Sequence, residues 1–332
     1  MEDLLKGYLN QLRRGLELGK DLVVKPPVKE IRNVVIAGMG ASGTGASIVH
    51  SVTADSIQIP VVLLQSYDLP AFVNEHTLFI ASSFSGTTEE VISTLTQAIV
   101  RNATIVCLTT GGKLLEIAQQ NGLTIAKIPF KELHSRAFIG YSVIQLLFLL
   151  KQYSLISDWF IPQIEAAIEL IDEREYFIDD GAKNVAEFLK GKLPIIYGDA
   201  KFGPVLHWLQ QQINTTSKQF AHTNLIPELN HNEIEGWMHA ATLLESAMIV
   251  MLTTTLDHPR IQLRIDETRQ IIYKHSAGII EVILLYGNSL LEQMLYAINL
   301  FDWISFYLAK ENNVDPLVLK NISELKDQMS KQ

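Results

Sequence analysis

The chain has 332 residues, more than a single hydrophobic core usually serves, so two domains are expected, and an apolar fraction of 48% is ample for both. A formal charge of −9, from 27 basic and 36 acidic side chains, argues against a surface built for nucleic acid or an anionic membrane, so an anionic ligand must be held by local donors. One cysteine, Cys107, excludes an internal disulfide, residues 1–20 lack the apolar core and cleavage site of a signal peptide, and a cytoplasmic location is expected.

Leucines at helical spacing over residues 1–19 predict an N-terminal helix, ended by Pro26 and Pro27. Short apolar runs at 33–37, 61–64, 78–81, 104–108 and 123–128 then alternate with helical segments. Runs without polar alternation predict strands covered on both faces, hence a parallel α/β sheet, with Cys107 buried inside one of them. The stretch 138–178 is helical in pattern; its most apolar part, 138–150, contains Gly140, Ser142 and Gln145 and is too short to span a bilayer. Alternation resumes with strands at 193–197, near 218–221, at 247–252 and at 279–285, and a helix near 204–214. Helices at 290–309, rich in aromatics, and 317–329 close the chain. The expected organisation is two lobes of one type, 1–152 and 153–332, each a parallel sheet flanked by helices in a flavodoxin-like three-layer α/β/α arrangement.

Two loops carry the chemistry. The strand at 78–81 runs into Ser82, Ser83, Ser85, Gly86, Thr87 and Thr88 and then into a helix. Hydroxyls, unpaired helix N–H groups and the positive end of the helix dipole together suit a phosphate monoester without any Lys or Arg. The simpler reading is that these hydroxyls cap the helix, but one cap needs one hydroxyl and the loop offers five. Earlier, strand 33–37 opens into GMGASGTG, whose Gly38, Gly40 and Gly43 satisfy G-x-G-x-x-G. A dinucleotide site also wants an acidic residue at the end of the second strand, where this chain has Gln65 and Ser66. Ser42 adds a hydroxyl that a pyrophosphate cradle does not need, so a phosphosugar held by two adjacent loops is favoured over an oxidoreductase's cofactor. The phosphate-binding set is Gly40, Ala41, Ser42, Ser83, Ser85, Thr87 and Thr88.

Strand–GMGASG–helix followed by strand–SSFSGTTEE–helix resembles the sugar isomerase (SIS) domain. SRAFIGY at 135–141, PELNHNEIEGW at 227–237, DHPRIQLR at 257–264 and VDPLVLKNISELK at 314–326 narrow the resemblance to the bifunctional phosphoglucose/phosphomannose isomerases, across nearly the whole chain. Ala41 stands where that family often has a second glycine, and KELHS precedes Arg136 in place of a proline-containing run.

The resemblance implies interconversion of glucose 6-phosphate or mannose 6-phosphate with fructose 6-phosphate, by proton transfer between C1 and C2 through a cis-enediolate. It implies a homodimer whose subunits share catalytic groups. By place in the motifs, Glu233 is the base, with Glu228 and Glu235 as rivals and a helix-start carboxylate as the structural alternative. Arg136 corresponds to the enediolate-stabilising arginine, suited as a permanently charged fork. His258 corresponds to the ring-opening histidine, while His222, His231 and His239 lie closer to Glu233 in sequence. Lys326 corresponds to a C-terminal site lysine, with Lys320 as its alternative. His231, Glu233 and His239 do not form a convincing ligand set, so no metal and no cofactor are expected. Other phosphosugar isomerases of this fold and a non-catalytic phosphosugar-binding module are the remaining readings; no helix-turn-helix or basic face favours a regulator.

Overall fold

The computed structural model describes residues 1–128, 139–239, 246–275, 280–329 and 331. Arg136 and most of SRAFIGY lie outside the described residues. Contacts divide the chain into two compact units, residues 6–169 and residues 1–5 together with 170–332.

The first unit is built on a five-stranded sheet. Its strands are β1 (Asn33–Ala37), β2 (Val61–Leu64), β3 (Thr77–Ser82), β4 (Thr104–Thr109) and β5 (Thr124–Lys127), in the order β2-β1-β3-β4-β5 and parallel throughout. All residues of β3 and β4 are buried, as their unbroken Val, Ile, Leu and Phe content predicts for strands covered on both faces. On one face Val35, Ala37, Phe79, Ala81, Ile105 and Cys107 pack in a cluster with Val91, Leu95 and Ala98 of α4 (Glu89–Val100) and Leu114 and Ala118 of α5 (Gly112–Gln120). Burial pushes the Cys107 thiol up to about 12, so it is a core residue and not a nucleophile. The N-terminal helical pattern forms α1 (Glu2–Lys6) and α2 (Tyr8–Lys20); α2 and α3 (Gly40–Thr53) both pack against α6 (Ile139–Gln152), which is apolar almost all round and buried along 139–150.

The second unit repeats the design with one strand fewer. Strands β6 (Leu193–Asp199), β7 (His222–Ile226), β8 (Ala247–Thr254) and β9 (Ile280–Leu285) are parallel in the order β7-β6-β8-β9. The long helical stretch that follows α6 resolves into α7 (Phe160–Glu173) and α8 (Glu175–Leu189), which lead to β6. One face of the sheet packs Ile195, Tyr197, Ile249 and Met251 with Leu229, Trp237 and two isoleucines of α11 (Pro259–His275). Two helices, α8 and α9 (Gly203–Thr215), pack against α12 (Leu290–Glu311), where the buried Trp208 indole donates to Asp302 Oδ1 at 2.8 Å. Of the aromatic residues on α12, Tyr296, Phe301 and Phe306 are buried and Trp303 and Tyr307 are half-buried.

One strand is displaced from its sequence-based position. Residues 218–221 form an irregular segment after the turn that ends α9, and β7 begins at His222. Lys218 adopts a left-handed conformation (φ 56°), Gln219 N–H bonds the Ile213 carbonyl, and Asn214 Oδ1 takes the Ala221 N–H, so these groups continue the C-terminal cap of α9 and form no ladder.

The order 2-1-3-4 in both units puts a crevice at the carboxyl ends of the first and third strands, the usual ligand position in open α/β sheets. In the first unit it is bordered by the β1–α3 and β3–α4 loops.

Candidate active site

At the end of β1 the chain turns through Gly40 (φ 52°) straight into α3, with extended Met39 as N-cap and no side-chain cap bond. The Ser42 and Gly43 N–H groups bond the Met39 carbonyl, while the Gly40 and Ala41 N–H groups have no partner among the described residues. Those free donors and the helix dipole make the positive end an anion would meet. The Ser42 hydroxyl likewise has no partner among the described residues, and it borders a cleft lined by Ala41, Ser82, Phe84, Leu108, Ile128 and Ser142. Gly43 is required by close approach, since a Cβ there would lie 2.6 Å from the Gly38 carbonyl oxygen and 2.5 Å from Gln65 Nε2. An amide therefore stands over the glycine loop, where a dinucleotide site places its ribose-binding carboxylate.

The β3–α4 loop supplies the second wall. Gly86 sits at φ 68°, and a Cβ would fall 1.8 Å from the Gly111 carbonyl oxygen. Within the loop the hydroxyls divide into two groups. Ser83 is buried, accepts the Gly86 N–H at 3.1 Å and shares a 2.8 Å bond with Thr88 Oγ1, so it braces the turn. Exposed Ser85 and Thr87 are linked to each other at 3.1 Å and face solvent. Thr88 is the N-cap of α4 yet makes no side-chain cap bond.

Glu233 opens the short helix α10 (Glu233–Gly236), its N–H bonded to Asn232 Oδ1. Its carboxylate turns back over the face of β7. There it meets the Tyr197 hydroxyl on Oε1, the Asn224 amide on Oε2, and His222 Nε2 at 3.1 and 3.0 Å from the two oxygens. Strand alternation explains the convergence: His222 and Asn224 share one face of β7, and Tyr197 is the register partner of Asn224 on β6. A carboxylate only accepts, so the proton in the His222 contact lies on Nε2. Burial alone would push the Glu233 carboxyl up; hydrogen bonds from Tyr197, Asn224 and His222, with the His222 charge, outweigh it and hold the group below the ordinary glutamate range. It is the charged form, the one a base requires, that the site stabilises.

The other sequence-predicted residues of this unit are not among the hydrogen-bond partners of that carboxylate. His258 is exposed, its Nδ1 accepts the Arg260 N–H at 3.1 Å and its carbonyl starts α11, which in the neutral ring leaves the proton on Nε2. Neighbouring Asp257 is buried and accepts the Thr254 N–H on Oδ2. Burial first, and the charge of Asp199 second, push it up to about 6. Lys326 is exposed on α13 (Lys320–Met329) with no partner among the described residues. Of the rivals, Glu228 is exposed and holds the Asn232 amide, and His231, Glu235 and His239 are exposed. No group of three or more described His, Cys, Asp or Glu residues is arranged to hold a metal, and no helix among the described residues is long and apolar enough to cross a membrane.

Compared with known proteins, the chain is 38% identical over 329 residues to the bifunctional phosphoglucose/phosphomannose isomerase of Caldicellulosiruptor bescii, with 96% of both chains covered. The chain belongs to the bifunctional phosphoglucose/phosphomannose isomerase family. A second member, from Aquifex aeolicus, is 31% identical over 338 residues, covering 100% of this chain and 99% of its own. Residues 178–329 match the model described as bacterial phospho-glucose isomerase C-terminal SIS domain. Among solved structures, a hypothetical protein from Thermus thermophilus superposes with a TM-score of 0.77 at 14% identity, over 99% of this chain and 90% of that one, a likeness that shows the fold alone.

Membership in this isomerase family fits two SIS-type lobes and the hydroxyl-rich loops of the first. It does not by itself point to Tyr197 and Asn224, which motif reading misses. The usable signal is HTN at 222–224, an i, i+2 pair of polar side chains on an edge strand, hidden when the strand is placed four residues early.

Proposed function

We propose that this chain is an isomerase interconverting glucose 6-phosphate and mannose 6-phosphate with fructose 6-phosphate, through a cis-enediolate and without a metal or cofactor. The observation that carries the reading is the full-length likeness to curated relatives of that name. The open donors of the two phosphate loops and an ionised, firmly held Glu233 support it.

In this reading the 6-phosphoryl group is bound by the N–H groups of Gly40 and Ala41 and the hydroxyls of Ser42, Ser85 and Thr87, while Ser83 and Thr88 hold the loop in shape. The base is Glu233, which takes the proton from C2 of the aldose and returns it to C1. Arg136, by its place in the motif, stabilises the enediolate oxygen, and His258, whose ring offers an accessible Nε2, opens the sugar ring. Lys326 is the C-terminal site lysine. The active form is a cytoplasmic homodimer with catalytic groups drawn from both subunits.

The test is a coupled assay of the pure protein on fructose 6-phosphate that follows glucose 6-phosphate and mannose 6-phosphate separately. Both products are expected to accumulate. A protein that binds fructose 6-phosphate but forms neither product would be a phosphosugar-binding module, and the enzymatic reading would fall.

A further inference from the structure

We propose that Tyr197, Asn224 and His222 form a positioning device for Glu233: two fixed anchors and one exchangeable donor that hold the carboxylate in a single orientation. The inference rests on the reading of Glu233 as the base.

The anchors are built into the sheet. Tyr197 is fully buried in β6, and its hydroxyl donates to Oε1. Asn224, directly opposite on β7, donates to Oε2. Each oxygen is thus held from the sheet side, and rotation about the last side-chain bond would break both contacts together. His222 is different in kind. Its Nε2 is shared almost equally between the two oxygens, and its side chain is 44% exposed where that of Glu233 is 25% exposed. A shared bond from a solvated side chain is the weakest of the three, so it is the one a reacting carbon displaces. Displacing it frees a lone pair while the Tyr197 and Asn224 contacts stay in place.

The same arrangement sets the charge state. The titratable group in direct contact from β7 is His222 and from β6 the phenol of Tyr197, which burial, with Glu233 beside it, keeps protonated. On the flanking short helices, Glu228, His231 and Glu235 are exposed. Losing the Tyr197 hydroxyl therefore removes a donor to the charged form and leaves Oε1, among the described residues, with only the shared His222 contact.

Three variants separate this role from simple structural support: Tyr197→Phe, His222→Gln and His222→Ala, each checked by urea unfolding and assayed on fructose 6-phosphate between pH 4 and 8. In Tyr197→Phe, kcat is expected to fall on the order of 10- to 100-fold, the scale for a misplaced reacting group, with KM changed less than about threefold. The acid limb of the pH–rate profile should move up by about one pH unit, as expected for one lost charge-assisted hydrogen bond. His222→Gln, which keeps an N–H donor without a titrating ring, should retain most of the kcat that His222→Ala loses. An unchanged acid limb and kcat in a folded Tyr197→Phe would overturn the proposal. If that variant does not fold, equal activity of the Gln and Ala variants at His222 would do the same. Glu233→Gln keeps the two failures distinct: an inactive Gln variant beside an unperturbed Tyr197→Phe sinks only the positioning device, whereas a fully active one removes the base assignment beneath it.

Discussion

Replacing Ser42 by Ala removes a hydroxyl that has no hydrogen-bond partner among the described residues, at the first turn of α3 and beside the cleft containing Ser82 and Phe84. No described group is left unsatisfied, so stability should stay within about 0.5 kcal/mol of the wild type. A phosphoryl oxygen that accepted this hydroxyl loses a bond to a charged group, worth about 1.5–3 kcal/mol, which is roughly a 10- to 150-fold rise in the dissociation constant of a phosphosugar. Ser83→Ala makes the opposite prediction. Its buried hydroxyl bonds Thr88 and shares the Gly86 N–H with the Ser83 carbonyl, so its removal should cost about 0.5–1.5 kcal/mol of stability in the first unit, with weaker binding only as a consequence of a loosened loop. Calorimetric titration with fructose 6-phosphate and inorganic phosphate, alongside urea unfolding of both variants, reads the two effects separately. Unchanged affinity in Ser42→Ala, or unchanged stability in Ser83→Ala, would refute the division of the hydroxyls into ligand donors and loop braces.

Two further outcomes follow from the same structure. Gly86→Ala places a Cβ 1.8 Å from the Gly111 carbonyl in a left-handed backbone, so at least about 1–2 kcal/mol should be lost in urea unfolding, together with phosphate affinity. Asp257 has its folded pKa raised from an ordinary 3.8 to about 6, so the fold favours its protonated form: the stability it contributes is present below about pH 4 and is lost as pH rises through 6. Asp257→Asn, which can keep the Thr254 N–H bond, should therefore unfold at higher urea than the wild type at pH 8, by about 1–3 kcal/mol, and show little difference at pH 4.

Most of the fold could be read from the sequence because parallel strands buried on both faces are written as uninterrupted apolar runs; β1 and β2 have the bounds their residues predict, and β3, β4, β6 and β8 differ only at their ends. The failure at β7 has a physical cause. An edge strand whose face carries His222 and Asn224, with the Thr223 hydroxyl bonded to the Ile196 carbonyl, has no apolar run, while the preceding turn is satisfied by Asn214 and Ser305, which no local pattern reveals. The two loops were legible as a density of hydroxyls and glycines, but not the pairing of Ser83 with Thr88 and of Ser85 with Thr87. Glu233 was legible from HNE; that a tyrosine 36 residues earlier meets it depends on strand register, a long-range property.

The central claim, proton transfer by Glu233 through an enediolate, is tested most directly by running the fructose 6-phosphate reaction in D2O and measuring deuterium at C2 of the glucose 6-phosphate formed. Wild-type protein should incorporate deuterium, because a proton on a partly exposed carboxylate exchanges with solvent. Glu233→Gln should lose both turnover and incorporation by about 10²–10⁴-fold. Turnover without any deuterium at C2, or full turnover by the Gln variant, would contradict the account.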